Sequence, residues 1–305
     1  MSLTELFKHK TVFSLEVFPP KKTSPTEAIL PTLTRLQSLN PDFISVTLGA
    51  GGTDHCDGTV EIANLIQNKL NIPAVSHVPG LYQTKEQVLA LLDRLDSINV
   101  KNILALRGDR IAGKQPAGDF THANELVKFV KEQRPDFTVA SACYPNCHTE
   151  AAGFVDDLAH LKEKVDAGAD HLISQLFFDN QAFYDFKEKT EIAGINVPIE
   201  AGIMPCTNKN QIERITQISG VPIPKKFAAI MDRYQDSKEA MLDAGIAFAV
   251  DQIIDLVSQG VDGIHLYTMN NSKIAKRIWD ETESVFAASD LSKQKANSSK
   301  NRLVT

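Results

Sequence analysis

Two carboxylates stand where acid–base chemistry could be done: Glu16 in FSLEVFPP and Asp109 in LALRGDR. Glu16 is the one charge among Phe13, Leu15, Val17 and Phe18, just before Pro19 and Pro20. Taking a carboxylate out of water disfavours its charged form, which lifts the pKa above the usual value of about 4.3. A carboxylic acid kept protonated near neutral pH can serve as a general acid. A buried Glu paired with Lys or Arg fits the same pattern equally well. In LALRGDR, Gly108 lets the backbone turn sharply or approach a ligand. Arg107 could grip a phosphate or carboxylate through its fork, and Asp109 could face a developing positive charge. The plainer alternative is an Arg–Asp ion pair confined to the loop.

Other polar groups accompany these two. His77 ends IPAVSHV, and Tyr144 and His148 lie in CYPNCHTEA. A lone histidine at such a place is more often a hydrogen-bonded structural group than a catalyst. Tyr144 offers a flat ring and a hydroxyl for a cofactor. Gln175, in SQLFFD, is an amide that pairs naturally with a heterocycle such as a pterin. TLGAGGTD (47–54) is glycine-rich but matches neither the Walker pattern nor GxGxxG. It suits a flat ligand lying close to the backbone, or a flexible loop. Cys143, Cys147 and His148 lack a fourth ligand at useful spacing, so no metal is expected.

Eight short apolar segments position these groups: 11–17, 42–48, 72–78, 100–107, 137–144, 170–178, 197–203 and 262–268, with helix-like stretches between them. Strand–helix alternation repeated eight times predicts an α/β chain folded as a (β/α)8 TIM barrel, with its site at the C-terminal strand ends. Those ends carry Glu16, Thr47, His77, Arg107 with Asp109, Tyr144, Gln175, Met204 and Tyr267. Helices are expected over 24–39, where Pro31 kinks or restarts the turn, and over 57–70, 84–98, 121–133, 151–167 and 180–193. TKEQ at 84–87 is a capping box, and Gly168 and Gly194 are C-caps. Extra helices near 208–219 and 237–259 fall between strands 7 and 8, and a last helix spans 272–288. Residues 1–288 thus form a single domain, and the polar stretch 289–305 is expected to be a flexible tail.

The chain has 305 residues, 43% hydrophobic and 23% charged, with net charge −6. That balance disfavours a nucleic-acid partner. No apolar run reaches the roughly 18 residues of a membrane span, and MSLTELFKHKTVF has no signal-peptide pattern. A cytoplasmic protein is expected, acting on small molecules and assembled as a homo-oligomer.

Taken together, FSLEVFPPKK, SVTLGAGG, SHVPG, LALRGD, ACYPNCHTEA, LKEKVDAGADHLISQLFFD, GIMPCTN and GIHLYTMN, in this order, resemble the catalytic domain of the methylenetetrahydrofolate reductases of the short bacterial type. The resemblance implies a barrel that binds FAD without a Rossmann domain and reduces 5,10-methylenetetrahydrofolate to 5-methyltetrahydrofolate with NADH or NADPH, by a ping-pong sequence. It implies Glu16 as the acid that protonates folate N10 and Asp109 as the carboxylate that stabilises the resulting iminium. Gln175 and Gln211 would hold folate, with Asn271 nearby, and Thr47 would touch nicotinamide. The flavin would be held by Leu48, Ala50, His77, Arg107, Gly108, Asp109, Tyr144, His148, Ala151, Asp157, His160 and Lys164. Asn271 stands where the family pattern has arginine, Ile215 where some bacterial relatives have phenylalanine, and His160 and Glu163 where asparagine and arginine are usual. The S-adenosylmethionine domain of eukaryotic members is not expected here. Two further readings compete: a flavin-free barrel lyase or aldolase using Glu16 and Asp109, and a folate- or flavin-binding scaffold without turnover.

Overall fold

The computed structural model describes residues 3–20, 24–48 and 56–303. Eight parallel strands close into a barrel in sequence order. They are β1 Val12–Val17, β2 Phe43–Val46, β3 Ala74–Pro79, β4 Asn102–Leu106, β5 Thr138–Cys143, β6 His171–Ser174, β7 Ile199–Ile203 and β8 Gly263–Tyr267. β1 closes the ring, pairing Ser14 with Phe43 of β2 and with His265 of β8. Seven of the expected apolar segments each contain one strand, and β3 runs one residue past its segment, to Pro79. The largest trimming is at β6, which stops at Ser174: the Gln175 N–H turns to the Cys143 carbonyl, while Phe177 and Phe178 leave the strand for two different cores.

Both faces of such a sheet are buried, so its strands read as almost continuous apolar runs. Side chains still alternate across it. Phe13, Leu15 and Val17 of β1 pack outward with Leu33, Leu36 and the other helices' apolar faces, while Val12 belongs to the inner layer with Phe43, Val75, Leu104, Ala140 and Ile173. Burying one large apolar side chain fully is worth about 1.5–3 kcal/mol.

The surrounding helices are α1 Leu3–His9, α2 Leu30–Gln37, α3 Cys56–Asn64, α4 Lys85–Ser97, α5 Ala123–Gln133, α6 Phe154–Asp166, α7 Asn180–Ile192, α8 Lys209–Ser219, α9 Lys225–Tyr234, α10 Lys238–Ser258 and α11 Ser272–Leu303. Pro31 sits in the first turn of α2, after a 3₁₀ turn over Thr26–Ile29, so it restarts the helix. The Thr84–Gln87 capping box is formed reciprocally, and Gly168 and Gly194 take positive φ just beyond α6 and α7. In the β7–β8 interval, VPIPKKF opens α9 at Lys225. Helices α8, α9 and α10 enclose a second small core in which Phe178, Phe227 and Phe248 pack face to face or tilted.

Two elements depart from expectation. Helix α1 lies under the barrel, where Leu3 and Phe7 pack on the inner layer of Val12, Phe43 and Val75. The end of the chain is also not the expected flexible tail over 289–303, since α11 runs on to Leu303. Its polar residues have partners beneath the barrel. Asp290 accepts from the Thr11 N–H at 2.8 Å, Ser289 bonds the Thr11 hydroxyl at 2.9 Å, and Lys293 donates to the Lys10 carbonyl at 3.2 Å. Anchoring of this kind leaves no apolar periodicity to read. No helix among the described residues is long and apolar enough to cross a membrane.

Candidate active site

Glu16 is the penultimate residue of β1, at the C-terminal mouth of the barrel. Its sequence neighbours suggest an apolar shell, and the structure corrects this. Phe13, Leu15 and Val17 point to the helices, whereas Glu16 meets polar groups. Its Oε2 lies 3.4 Å from His77 Nε2 and 3.8 Å from His265 Nε2, and its side chain is 19% exposed. Burial holds His77 in its neutral form, with a pKa pushed down to about 4 despite the opposing pull of Glu16. No hydrogen-bond partner for His77 Nε2 is found among the described residues. The strand end is fixed from behind, because the Thr268 hydroxyl donates to the Glu16 carbonyl at 2.6 Å.

Beside this mouth, a cleft over the ends of β4 and β5 and along α6 gathers Arg107, Tyr144, His148, Ala151, Asp157, His160 and Lys164. Lys164 donates to the Ala142 carbonyl and lies over the Tyr144 ring, and burial lowers its pKa. Tyr144 stacks edge-on against His148 at 4.6 Å; burial raises the one's pKa and lowers the other's. Asp157 accepts from the His148 N–H. Arg107 is not paired with Asp109. Both arms of its fork bond Glu150 at 2.7 Å, which pulls the Glu150 carboxyl down to about 2. Asp109 is exposed, one residue beyond Gly108, whose φ of +91° favours glycine.

The other expected residues are placed as follows. Thr47 is half-buried at the end of β2, its N–H on the Val17 carbonyl. Leu48 packs into the helix-side core. Ala50 lies outside the described residues. Gln175 is half-buried just beyond β6, its Oε1 accepting from the Leu176 N–H at 2.9 Å. Gln211 is in the first turn of α8, whose N-cap Asn208 accepts the Gln211 N–H. Ile215 packs on the second small core.

Asn271 has a structural task the sequence reading did not foresee. It immediately precedes α11, and its side chain accepts from the Ile274 N–H at 3.3 Å, as an N-cap does. Asn271→Arg should therefore do two things. It should lower stability by about 1 kcal/mol, through loss of the cap and a cation at a helix N-terminus. It should also shift KM for a ligand at the mouth while moving kcat little, as a change in uniform binding does. A thermal melt together with steady-state kinetics checks both. An unchanged melting temperature would show the cap to be dispensable.

Two members of the site, Glu150 and His265, and one buried residue beneath it, Glu200, escape the sequence reading. Glu150 is just past His148 in CHTEA, and its partner is 43 positions away. His265 and Glu200 are polar residues alternating into apolar strands, in GIHLY and IEAGI, and that was the available signal. Chemically, the cleft joins two cations, Arg107 and Lys164, an aromatic ring, three imidazoles and the carboxylates of Glu150, Asp157 and Glu163, beside the separate Glu16 carboxyl at the mouth. Such a donor set fits a flat, phosphate-bearing cofactor.

Comparison with known proteins agrees on one family. Residues 2–283 match the family model described as methylenetetrahydrofolate reductase. The chain is 33% identical over 265 residues to the 5,10-methylenetetrahydrofolate reductase of Escherichia coli (strain K12), covering 87% of this chain and 88% of that protein. It is 36% identical over 288 residues to methylenetetrahydrofolate reductase (NADH) 1 of Arabidopsis thaliana, covering 90% of this chain and 48% of that protein. The chain thus spans about half the length of the plant relative. Among solved structures, an uncharacterized protein from Clostridium thermocellum that binds two copies of 5-methyl-5,6,7,8-tetrahydrofolic acid superposes with a TM-score of 0.64 at 14% identity, over 93% of this chain and 98% of that one. At that identity the likeness concerns the fold alone.

Proposed function

This chain belongs to the methylenetetrahydrofolate reductase family, and on that premise we propose that it reduces 5,10-methylenetetrahydrofolate to 5-methyltetrahydrofolate with NADH or NADPH, using FAD. The observation that carries the reading is the pairing of Glu16, at the barrel mouth between two histidines, with the adjoining cleft that gathers Arg107, Lys164, Tyr144 and His148. FAD, when bound, supplies the hydride chemistry that no side chain can. The chain's own residues do the rest. Arg107 and Lys164 hold the anionic part of the cofactor, Tyr144 and His148 its flat surfaces, and Asp157 a hydroxyl. Gln175 and Gln211 orient folate, and Thr47 meets nicotinamide. Glu16 gives its proton to folate N10 as the five-membered ring opens, and Asp109 faces the cation that results. The test is anaerobic stopped flow on the purified yellow protein: NADH or NADPH should bleach the flavin, and methylenetetrahydrofolate should restore the colour. A colourless protein, or colour that folate fails to restore, overturns the reading.

Glu150 adds an expectation. A cofactor phosphate that takes the Arg107 fork must displace Glu150, whose side chain is 48% exposed. An ion pair so open to water is a weak competitor. Glu150→Gln should therefore tighten FAD binding by roughly 3- to 10-fold, up to about 1.4 kcal/mol, as read by fluorescence titration of the apoprotein. Weaker binding would show that Glu150 instead aims Arg107 at the cofactor.

A further inference from the structure

A line of buried polar groups runs down the barrel interior from Glu16, and the reaction as described does not use it. Glu200 of β7, Ser14 of β1 and His265 of β8 are all fully buried. Ser14 Oγ lies 2.7 Å from Glu200 Oε1 and 2.6 Å from His265 Nδ1. The far nitrogen of the same ring, Nε2, is 3.4 Å from Ser45 Oγ and 3.8 Å from Glu16 Oε2. A carboxyl at the centre of a protein is costly unless it is paired and hydrogen-bonded. Glu200 has one good hydrogen bond, and no partner for its Oε2 is found among the described residues. The nearest base, His171 Nε2, is 3.7 Å away and does not neutralise it, since burial pushes that imidazole down to about 3. Burial correspondingly lifts Glu200 to about 8, against the Ser14 hydrogen bond and with help from Asp42 and Asp262. Glu200 is therefore a neutral acid at neutral pH.

We infer that Glu200 is a proton store for Glu16, connected to it through Ser14 and His265. The inference rests on the proposed role of Glu16 as proton donor. When a ligand covers the mouth, water no longer reaches the Glu16 carboxyl. Bulk solvent is then shut out, and the buried line is the remaining source. The Glu16 carboxylate, the one partly exposed member, turns to close the 3.8 Å gap. The Ser14 hydroxyl turns from Glu200, to which it donates at rest, to donate to His265 Nδ1, and the Glu200 O–H bond breaks as that proton passes to Ser14 Oγ. The former Ser14 proton passes to His265 Nδ1, and the proton on His265 Nε2 passes to Glu16 Oε2. Three bonds to hydrogen break and three form, His265 exchanges tautomers, and one negative charge moves from Glu16 to Glu200. When the mouth reopens, a solvent proton taken up by Glu16 runs the line backwards. Glu200 and Ser14 are positioning residues on this account, because neither touches substrate.

The titratable groups that bear on the store are His171, His265, Asp42 and Asp262 around Glu200, and His77, His265 and Tyr267 around Glu16. Two measurements test it. Infrared titration of the ligand-free protein should show a buried protonated carboxyl that ionises near pH 8 and is absent in Glu200→Gln. Single-turnover folate reduction by prereduced protein should hold its rate to about pH 8 in the native chain. In Glu200→Gln and in Ser14→Ala the alkaline limb should move down by about one pH unit or more, with rates at about pH 6 within roughly threefold of native. A structural role would lower the rate equally at every pH. Parallel profiles in both variants, or no such infrared band in the native chain, overturn the store. A native chain that has the band but reduces no folate at any pH overturns the proposed reaction instead. Because Ser14→Ala leaves Glu200 in place, a Glu200 variant that fails to fold does not remove the test.

Discussion

In Glu16→Gln, flavin reduction by NADH or NADPH should proceed at close to the native rate, while folate reduction falls by roughly 10²–10⁴-fold, the range for a lost general acid. The amide keeps the shape of the carboxyl and can still bond near His77 and His265, but it cannot give up a proton at N10. No neighbour stands in for it. His77, 3.4 Å away, is neutral because burial holds its pKa at about 4, and it carries no proton acidic enough to replace that of a carboxyl. Delivery of hydride from nicotinamide needs no proton from this position, so that step should be spared. The two half-reactions followed separately at the flavin absorbance decide the matter. An equal loss in both would make Glu16 a structural residue and would remove the assignment.

In Asp109→Asn, folate reduction should slow by roughly 10²-fold or more, the usual cost of losing one preorganised electrostatic contact in the transition state. The side chain has the freedom this role requires. Glu150, not Asp109, fills the Arg107 fork, and Asp109 lies exposed at the edge of β4 just beyond Gly108. Its charge is thus available to a cation developing on folate, and stabilises that cation more than the neutral closed ring. A negative charge near the flavin also opposes the addition of electrons, so the flavin midpoint potential should rise in the variant. Oxidation of nicotinamide should be impaired mildly at most. Spectroelectrochemistry reads the potential, and stopped flow reads the folate step. An unchanged potential with intact folate reduction would reduce Asp109 to a surface loop residue.

The eight strands were legible because each is an apolar run closed by a polar residue, and a parallel barrel demands that pattern. Thr84 with Gln87, and Gly168 and Gly194, were legible because a cap is a local event that a few residues specify. What escaped was non-local. The shell around Glu16 was misjudged by reading neighbours along the chain, when alternation sends Phe13 and Leu15 to the opposite face. The plainer alternative for Arg107 pairs it with the nearest acid in sequence, but the chain brings Glu150 to it from the next loop. The sequence reading ends helix α11 at 288, because the turn over 289–293 is held by Thr11 and Lys10 rather than by an apolar stripe. Asn271 reads as a substrate-side residue that replaces an arginine, although the hydrogen bond it accepts from Ile274 is a common beginning for a helix.

Helix α1, seated beneath the inner layer with Leu3 and Phe7 against Val12 and Phe43, covers the underside of a barrel whose interior is already filled by side chains. Whatever enters must leave by the same doorway. On the proposed reaction, a nucleotide and a folate would both need the space beside Glu16, could not pass through from opposite sides, and so would queue. Traffic through one doorway carries a recognisable cost: a crowd of the second visitor delays the first. At high folate the turnover rate should fall rather than level off, and added nicotinamide nucleotide should relieve the delay.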